Sequence, residues 1–269
     1  ERMDSSTEMD HGLARIDRDG YRAEVVIQRA EKRNAMNESL MRDLDQAFRT
    51  LDEDTEIRAV VLHGEGPVLG AGMDLEMMRG LADDSTDVSV TESLFPDLLD
   101  RIEECSAPTI AAIHGAAPAG AFELTLPFDF RIIDSEAKYG VVEVKLGTFP
   151  HGGATQRLPR LVGLAKAKEI VLTGEYVDPQ TAADAGLVRE VVEPGDVVET
   201  ARGLADELAE NAPIGMSMAK QALNAAGEMA LDEGLAFERA LAKETYRTAD
   251  YQEGVEARLE GRDPEFRNE

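Results

Sequence analysis

At 269 residues and 43% hydrophobic side chains, the chain is long enough to bury one large core, or one core with an appendage. Its formal net charge of -26, from 54 acidic against 28 basic residues, argues against nucleic acid or an anionic membrane as a partner. No apolar run reaches spanning length, the start ERMDSSTEMDHG lacks a basic-then-apolar leader layout, and Cys105 is the lone cysteine, so a soluble protein of a reducing cytoplasm is expected.

Residues 13–17 and 23–28 are short β-branched runs around Asp19-Gly20, a hairpin signal. Asn37-Glu38 opens a helix predicted to reach Leu51, with Leu40, Leu44, Ala47, Phe48 and Leu51 on one face. A buried strand is predicted over 57–64, then the glycine-rich GEGPVLGAGMDL, whose Asp74 is placed to cap a short helix ending near Gly80. The polar stretch 81–93 has no period and reads as a mobile loop that could cover a site. A helix over 94–105, a strand over 108–114, an apolar helix in GAAPAGAFELTL and a strand over 130–134 complete an alternation that predicts an α/β fold.

Past Pro150 come GGATQRLPRLVG, LAKAKEIVLTG and a short VREVV strand, then three helices predicted over 196–210, 214–229 and 231–248. Met216, Ala219, Leu223 and Ala226 recur at helical spacing, as on a surface that packs against a neighbour. The expected division is a core over 1–195 and a helical region over 196–269, with a polar tail anchored by Phe266. Acidic residues are spread over every predicted helix, and the basic ones are 21 Arg and only 7 Lys. That surface resembles those of proteins from high-salt cytoplasm, where screening removes most self-repulsion.

Glu123 and Glu143 each follow a glycine-bearing turn in otherwise apolar sequence. Buried carboxylates are costly, and two facing one cavity would raise each other's proton affinity toward the range useful for acid–base chemistry at neutral pH. The alternative is a structural role, in which either one caps a helix or pairs with Arg157 or Lys145. Two glycine-rich turns, in VVLHGEGPVLGAGMDL and AAIHGAAPAGAFEL, each lie between a strand and a helix. One backbone N–H from each could hold a carbonyl oxygen as it becomes an enolate, at about 3 kcal/mol apiece. Otherwise the glycines serve only close packing. Neither turn matches a dinucleotide or phosphate-loop pattern, and His11, His63, His114 and His151 show no ligand spacing, so no nucleotide cofactor and no metal are expected.

Five segments together resemble the crotonase, or enoyl-CoA hydratase/isomerase, superfamily: EKRNAMNESL (31–40), VVLHGEGPVLGAGMDL (60–75), PTIAAIHGAAPAGAFELTLPFDFRI (108–132), YGVVEVKLGTFPHGGATQRLPRLVG (139–163) and TADYQEGVEARLEGRDPEF (248–266). They run in register over nearly the whole chain. The resemblance implies a spiral of ββα units, a C-terminal helical region used for trimers or dimers of trimers, an acyl-CoA thioester substrate and no cofactor beyond coenzyme A itself. Carried over by position, it implies Glu123 and Glu143 as catalytic carboxylates and the amides of Met73 and Gly120 as the thioester oxygen's donors. Ala71, Gly72 and Asp74 would line the same turn, and Lys32, Arg33 and Ala35 would meet the coenzyme A nucleotide. Enoyl-CoA hydration is the implied reaction, with isomerisation, another acyl-CoA lyase or dehydratase reaction, or non-catalytic acyl-CoA binding as alternatives.

Departures from the family pattern bear on the substrate. The second turn reads Pro118-Ala119-Gly120-Ala121-Phe122-Glu123 where three glycines precede Cys and Glu in many hydratases. The first has Val68-Leu69-Gly70 in place of a phenylalanine and a small polar residue, and Ala154 replaces a further glycine. His151 follows Pro150 where a glycine is usual; it is either a packed, satisfied side chain or a titrating partner of Glu143.

Overall fold

The structure is a computed structural model that describes residues 5–83 and 85–269. Asp84, within the stretch expected to be a mobile loop, lies outside them, as does the start of the N-terminal segment. A seven-stranded sheet runs in the order β1 (Ser5–Glu8), β2 (Ala14–Asp19), β3 (Arg22–Ile27), β4 (Ala59–Gly64), β5 (Thr109–Ile113), β7 (Phe130–Asp134), β9 (Glu190–Val192). The first three strands are antiparallel, and from β3 to β9 every pairing is parallel. Because parallel strands need crossovers, helices α1 (Glu38–Asp52), α2 (Leu75–Ala82), α3 (Phe95–Glu104) and α4 (Gly120–Thr125) fall between them.

Both faces of the central strands are buried, so period-2 alternation sorts their side chains into two cores. Val60, Leu62, Ala111, Ile113 and Ile133 join the main core, to which α1 contributes the five residues assigned to its inner face. Ala59, Val61, Ile110, Ala112 and Ile132 face the other way and pack on Val197, Ala201, Leu204 and Ala205 of α8 (Val197–Ala209). This helix, beyond residue 195, therefore covers the sheet's second face. Helices α5 (Ala154–Val162), α6 (Leu164–Thr173) and α7 (Pro179–Asp184) precede it.

The C-terminal region is α9 (Pro213–Ala225), α10 (Leu231–Thr245) and a further helix, α11 (Ala249–Glu260), beyond the last of the three predicted helices. The break is a cap: Thr248 is extended and its side chain accepts the Tyr251 amide. Among the described residues α10 buries none of its own, and Leu223, Leu231 and Leu259 are each more than 70% exposed. The tail is anchored less by Phe266 than by polar groups. Buried Asp250 accepts the amides of Arg267 and Asn268, and Arg58 donates to the Phe266 carbonyl.

Two local expectations change. GAAPAGAFELTL is not one helix: Ala116–Pro118 form a strand, β6, paired in parallel with β8 (Lys138–Gly140), and α4 starts only after Ala119 turns to φ 53°, ψ -126°. The 81–93 stretch is not an open loop throughout; Val90–Leu94 form one π-helical turn leading into α3, and Val90 is buried in the main core. No described helix is long and apolar enough to cross a membrane.

Asn34 joins the fold to the first glycine-rich turn. It is fully buried at φ 54°, its Oδ1 accepts the Arg29 amide, and its Nδ2 donates to the carbonyls of Glu65 and Val68 at 2.9 Å each. Replacing it with alanine takes the partner from three backbone groups, one of them buried, and removes a side chain suited to left-handed backbone. Asn34→Ala is expected to lower the unfolding free energy by about 3 kcal/mol at unchanged denaturant slope; a loss below about 0.5 kcal/mol in urea titration contradicts this account.

Candidate active site

The two glycine-rich turns meet because their backbones are cross-linked. The amides of Leu69 and Gly70 donate to the carbonyls of His114 and Ala116, and Gly115 comes so close to Pro67 that an added Cβ would lie 2.0 Å from its carbonyl oxygen. On the first turn, Met73 bridges Met36 in parallel fashion: Met36 N–H donates to Gly72 and Asp74 N–H to Met36. In such a bridge Met73's own amide faces away from Met36, and no described group accepts from it. Gly72 holds φ 93°, and a Cβ there would lie 3.1 Å from the Pro118 carbonyl and 3.4 Å from the Ala119 Cβ. On the second turn Gly120 opens α4, so its amide has no partner within the helix, and none elsewhere among the described residues. An added Cβ on Gly120 would meet Met73 Cγ at 3.0 Å. Two unengaged amides therefore sit on adjoining turns.

They open on a cavity of about 530 Å³ lined by both turns, both glutamates and a largely apolar wall that includes Met78, Phe95, Val142 and Leu146. Glu123, one turn into α4, is 4% exposed, and its Oε1 accepts the Ala154 amide at 3.1 Å. Burial pushes its carboxyl up to about 7, with the charge of Glu143 adding to the rise and the amides of Ala154 and Gly152 opposing it. Glu143 begins the 3-10 turn Glu143–Leu146 that follows β8. It too is buried, its Oε2 has no hydrogen-bond partner among the described residues, and burial raises its proton affinity against the opposing charge of His151. Glu123 caps α5 through the Ala154 amide, but neither carboxylate pairs with Arg157 or Lys145. Arg157 binds Asp100 and Glu103, and Lys145 binds Glu175.

Of the residues implied by family position, Met73, Gly120, Glu123, Glu143 and Ala71 line this one cavity, and so does His151, which departs from the family pattern. His151 is exposed, with Nδ1 donating to the Phe149 carbonyl at 2.9 Å, so it is not a packed core side chain. Gly72 and Asp74 do not line the cavity; they shape it from behind. Asp74 caps α2 through the amides of Glu76 and Met77 and pairs with Arg29, which also donates to the Ala35 carbonyl. Lys32 and Arg33 stand exposed on a 3-10 turn away from the cavity, without an ion-pair partner among the described residues.

The wall residues of α2 and α3 were not foreseen. Phe95 was readable only as part of an apolar helical face; its second role appears in three dimensions, where an added Cβ on Gly152 would lie 2.3 Å from its ring. Thr91 lines the cavity from the 81–93 stretch expected to cover a site, and Thr148 and Tyr176 line it from segments that carry no local signal.

The raised carboxyl of Glu123 has a consequence for stability. The folded protein keeps this proton up to about pH 7, whereas an unfolded glutamate releases it near 4.5. Stability is therefore lost as pH rises between those values, by about 3 kcal/mol in all. Glu123→Gln removes that dependence. Its unfolding free energy is expected to gain about 3 kcal/mol on the parent between pH 4.5 and 8, measured by denaturation at each pH; a constant difference contradicts the assignment.

A family model described as enoyl-CoA hydratase/isomerase matches residues 21–269. The chain is 37% identical over 247 residues to a probable enoyl-CoA hydratase of Rhizobium meliloti, covering 91% of this chain and 93% of that one. It is 34% identical over 255 residues to a short-chain-enoyl-CoA hydratase of Clostridium acetobutylicum, covering 94% and 97%. The crystal structure of an enoyl-CoA hydratase from Bacillus anthracis matches at a TM-score of 0.89 and 31% identity, covering 96% of this chain and all of the other. With a match that spans nearly the full length and a fold that agrees in outline, this chain belongs to the enoyl-CoA hydratase/isomerase family.

Proposed function

We propose that the protein adds water across the 2,3-double bond of a trans-2-enoyl-CoA to give a 3-hydroxyacyl-CoA. The observation that carries this reading is the pair of buried carboxylates lining one cavity with two unengaged amides on adjoining turns. The thioester oxygen is held by the amides of Met73 and Gly120, which polarises the conjugated bond and stabilises the enolate. Glu123, ionised and fixed by the Ala154 amide, holds the attacking water and accepts its proton. Glu143, whose proton affinity burial raises, is the acid that protonates C2. An isomerase needs only one carboxylate to move a proton, so a second one fixed by a backbone amide favours hydration. Coenzyme A enters as part of the substrate, its phosphates drawn to the exposed Lys32 and Arg33 on their turn outside the cavity, and the chemistry requires no metal or other cofactor.

The expected measurement is loss of ultraviolet absorbance when the protein meets crotonyl-CoA or longer trans-2-enoyl thioesters; no loss at any chain length refutes hydration. Glu143→Gln is expected to lower kcat by about 10² or more. Because hydration uses ionised Glu123, the rate should rise with pH through about 7.

The proposal extends to the assembly and its setting. The exposed apolar residues of α9 to α11 suit a trimer or a dimer of trimers, and the charge of -26 suits a high-salt cytoplasm. Light scattering should return a trimer or hexamer mass in molar salt, and the melting temperature should fall as salt is diluted. A monomer whose melting temperature ignores salt contradicts both.

A further inference from the structure

One short loop holds Glu123 and faces the cavity that Glu143 lines. Beyond the Ala154 amide on Glu123 Oε1, Gly152 lies so near that an added Cβ would come within 2.9 Å of Oε2. The preceding residue, His151, lines the same cavity as Glu143 while remaining exposed to solvent. Its Nδ1 faces the Phe149 carbonyl at 2.9 Å. A carbonyl only accepts, so Nδ1 carries a proton and Nε2 is left to gain and lose one. Glu143 presents the complementary lack, a buried Oε2 without a hydrogen-bond partner among the described residues. An orphan oxygen of that kind marks a place where a proton or a ligand comes and goes.

The other charged groups around Glu143 do not compete for this task. Glu123 on α4 is a second carboxylate, and Arg79 on α2 lines the cavity but does not exchange protons near neutral pH. Lys145, on Glu143's own turn, is paired with Glu175 at 2.6 Å, and Arg157 with Asp100 and Glu103.

We propose that His151 exchanges the proton of Glu143 with solvent, restoring the acid after each turnover. The turnover step rests on the hydratase reading above. As the oxygen of water bonds to C3, its O–H bond breaks and the proton passes to Glu123; the Glu143 O–H bond breaks as its proton bonds to C2. The site is left with Glu143 ionised and Glu123 protonated. The imidazolium Nε2–H of His151 then gives its proton to Glu143, and the neutral ring takes one from solvent. Glu123 releases its proton to water that refills the cavity, so one water is consumed and no net proton.

His151→Asn and His151→Gly test this, the glycine variant leaving room for added imidazole. Two readouts are taken in deuterated water: kcat and KM with crotonyl-CoA, and deuterium entry at C2 of butyryl-CoA, which needs the enolate and Glu143 but no hydration. Both kcat and deuterium entry are expected to fall about tenfold or more, with KM changed less than about twofold and imidazole restoring the glycine variant. Unchanged exchange overturns the proposal, as does a raised KM with kcat intact, the mark of a residue that only contacts substrate. A loss that imidazole does not restore also overturns it, since packing alone explains that result. If the unmodified protein exchanges C2 protons yet hydrates no enoyl thioester, the hydratase reading fails while the exchange test of His151 still stands.

Discussion

Three residue pairs, Ala116 with Lys138, Ala117 with Tyr139 and Pro118 with Gly140, determine where both carboxylates lie. Because β6 and β8 are parallel, the chains that leave them emerge at the same end, one into α4 with Glu123 and the other into the turn with Glu143. A short pairing of this kind needs support from its surroundings, and it has it. The amide of Lys138 donates to the Gly115 carbonyl, and buried Asp134 accepts the Gly115 amide. Tyr139 is wholly buried, bonded to Thr125 of α4 at 2.7 Å and packed on Phe122 with ring centroids 4.4 Å apart. Slipping the pair by one residue would turn Tyr139 out of that contact and move Glu143 away from Glu123.

The electrostatics of the site come from what is kept away from it. Most acidic side chains of this chain meet water or a cation, whereas Glu123 meets two amides and a like charge. Arg157 is near enough to influence Glu123, but only after burial, the amides and Glu143, because its guanidinium is engaged by Asp100 and Glu103. Had it paired with Glu123 directly, the carboxyl would sit below the usual range and would be a poor proton carrier at neutral pH. Glu24 shows that contrast within the same molecule. It is equally out of solvent, but bonds from His63 and Arg202 hold it down to about 2. Burial alone does not make an acid–base group; burial without a cation does.

The parts of this arrangement that were legible in the sequence are those whose signal is local. The apolar runs over 57–64 and 108–114, the apolar face of α1, and the caps at Asn37 and Asp74 depend on neighbours a few residues away, and all take the form that local sequence predicts. What could not be read depends on pairing between distant segments. β1 is a strand of four exposed residues that exists because β2 offers it an edge, and β6 and β8 are three residues each. GAAPAGAFELTL looked helical throughout because alanine and leucine favour helix, and the ladder to β8 overrode that preference. Likewise the glutamates and the donor turns were legible through their glycines and their family positions. Phe95, Met78 and Tyr176 were not, since a residue becomes a cavity wall only when another segment is placed across from it.

Ala119 shows how far the site's geometry takes precedence over local preference. Its φ of 53° with ψ -126° is a conformation that glycine adopts freely and alanine does not, at a cost of about 1–3 kcal/mol. Both its backbone groups are engaged: the amide donates to the Gly140 carbonyl, and its own carbonyl accepts the Glu123 amide. Those two bonds hold the following peptide so that the Gly120 amide is left over, unengaged, on the cavity wall. A glycine at 119 would relax the strain but would let that peptide rotate, and a donor that must be aligned at the moment of reaction loses part of its advantage. The alanine methyl also occupies space beside Gly72, whose own added Cβ would meet it at 3.4 Å. The same substitution therefore stiffens the donor and narrows the space beside it. Its strain is carried by the β6–β8 ladder, which is why the register of that ladder governs the oxyanion donor as well as the carboxylates.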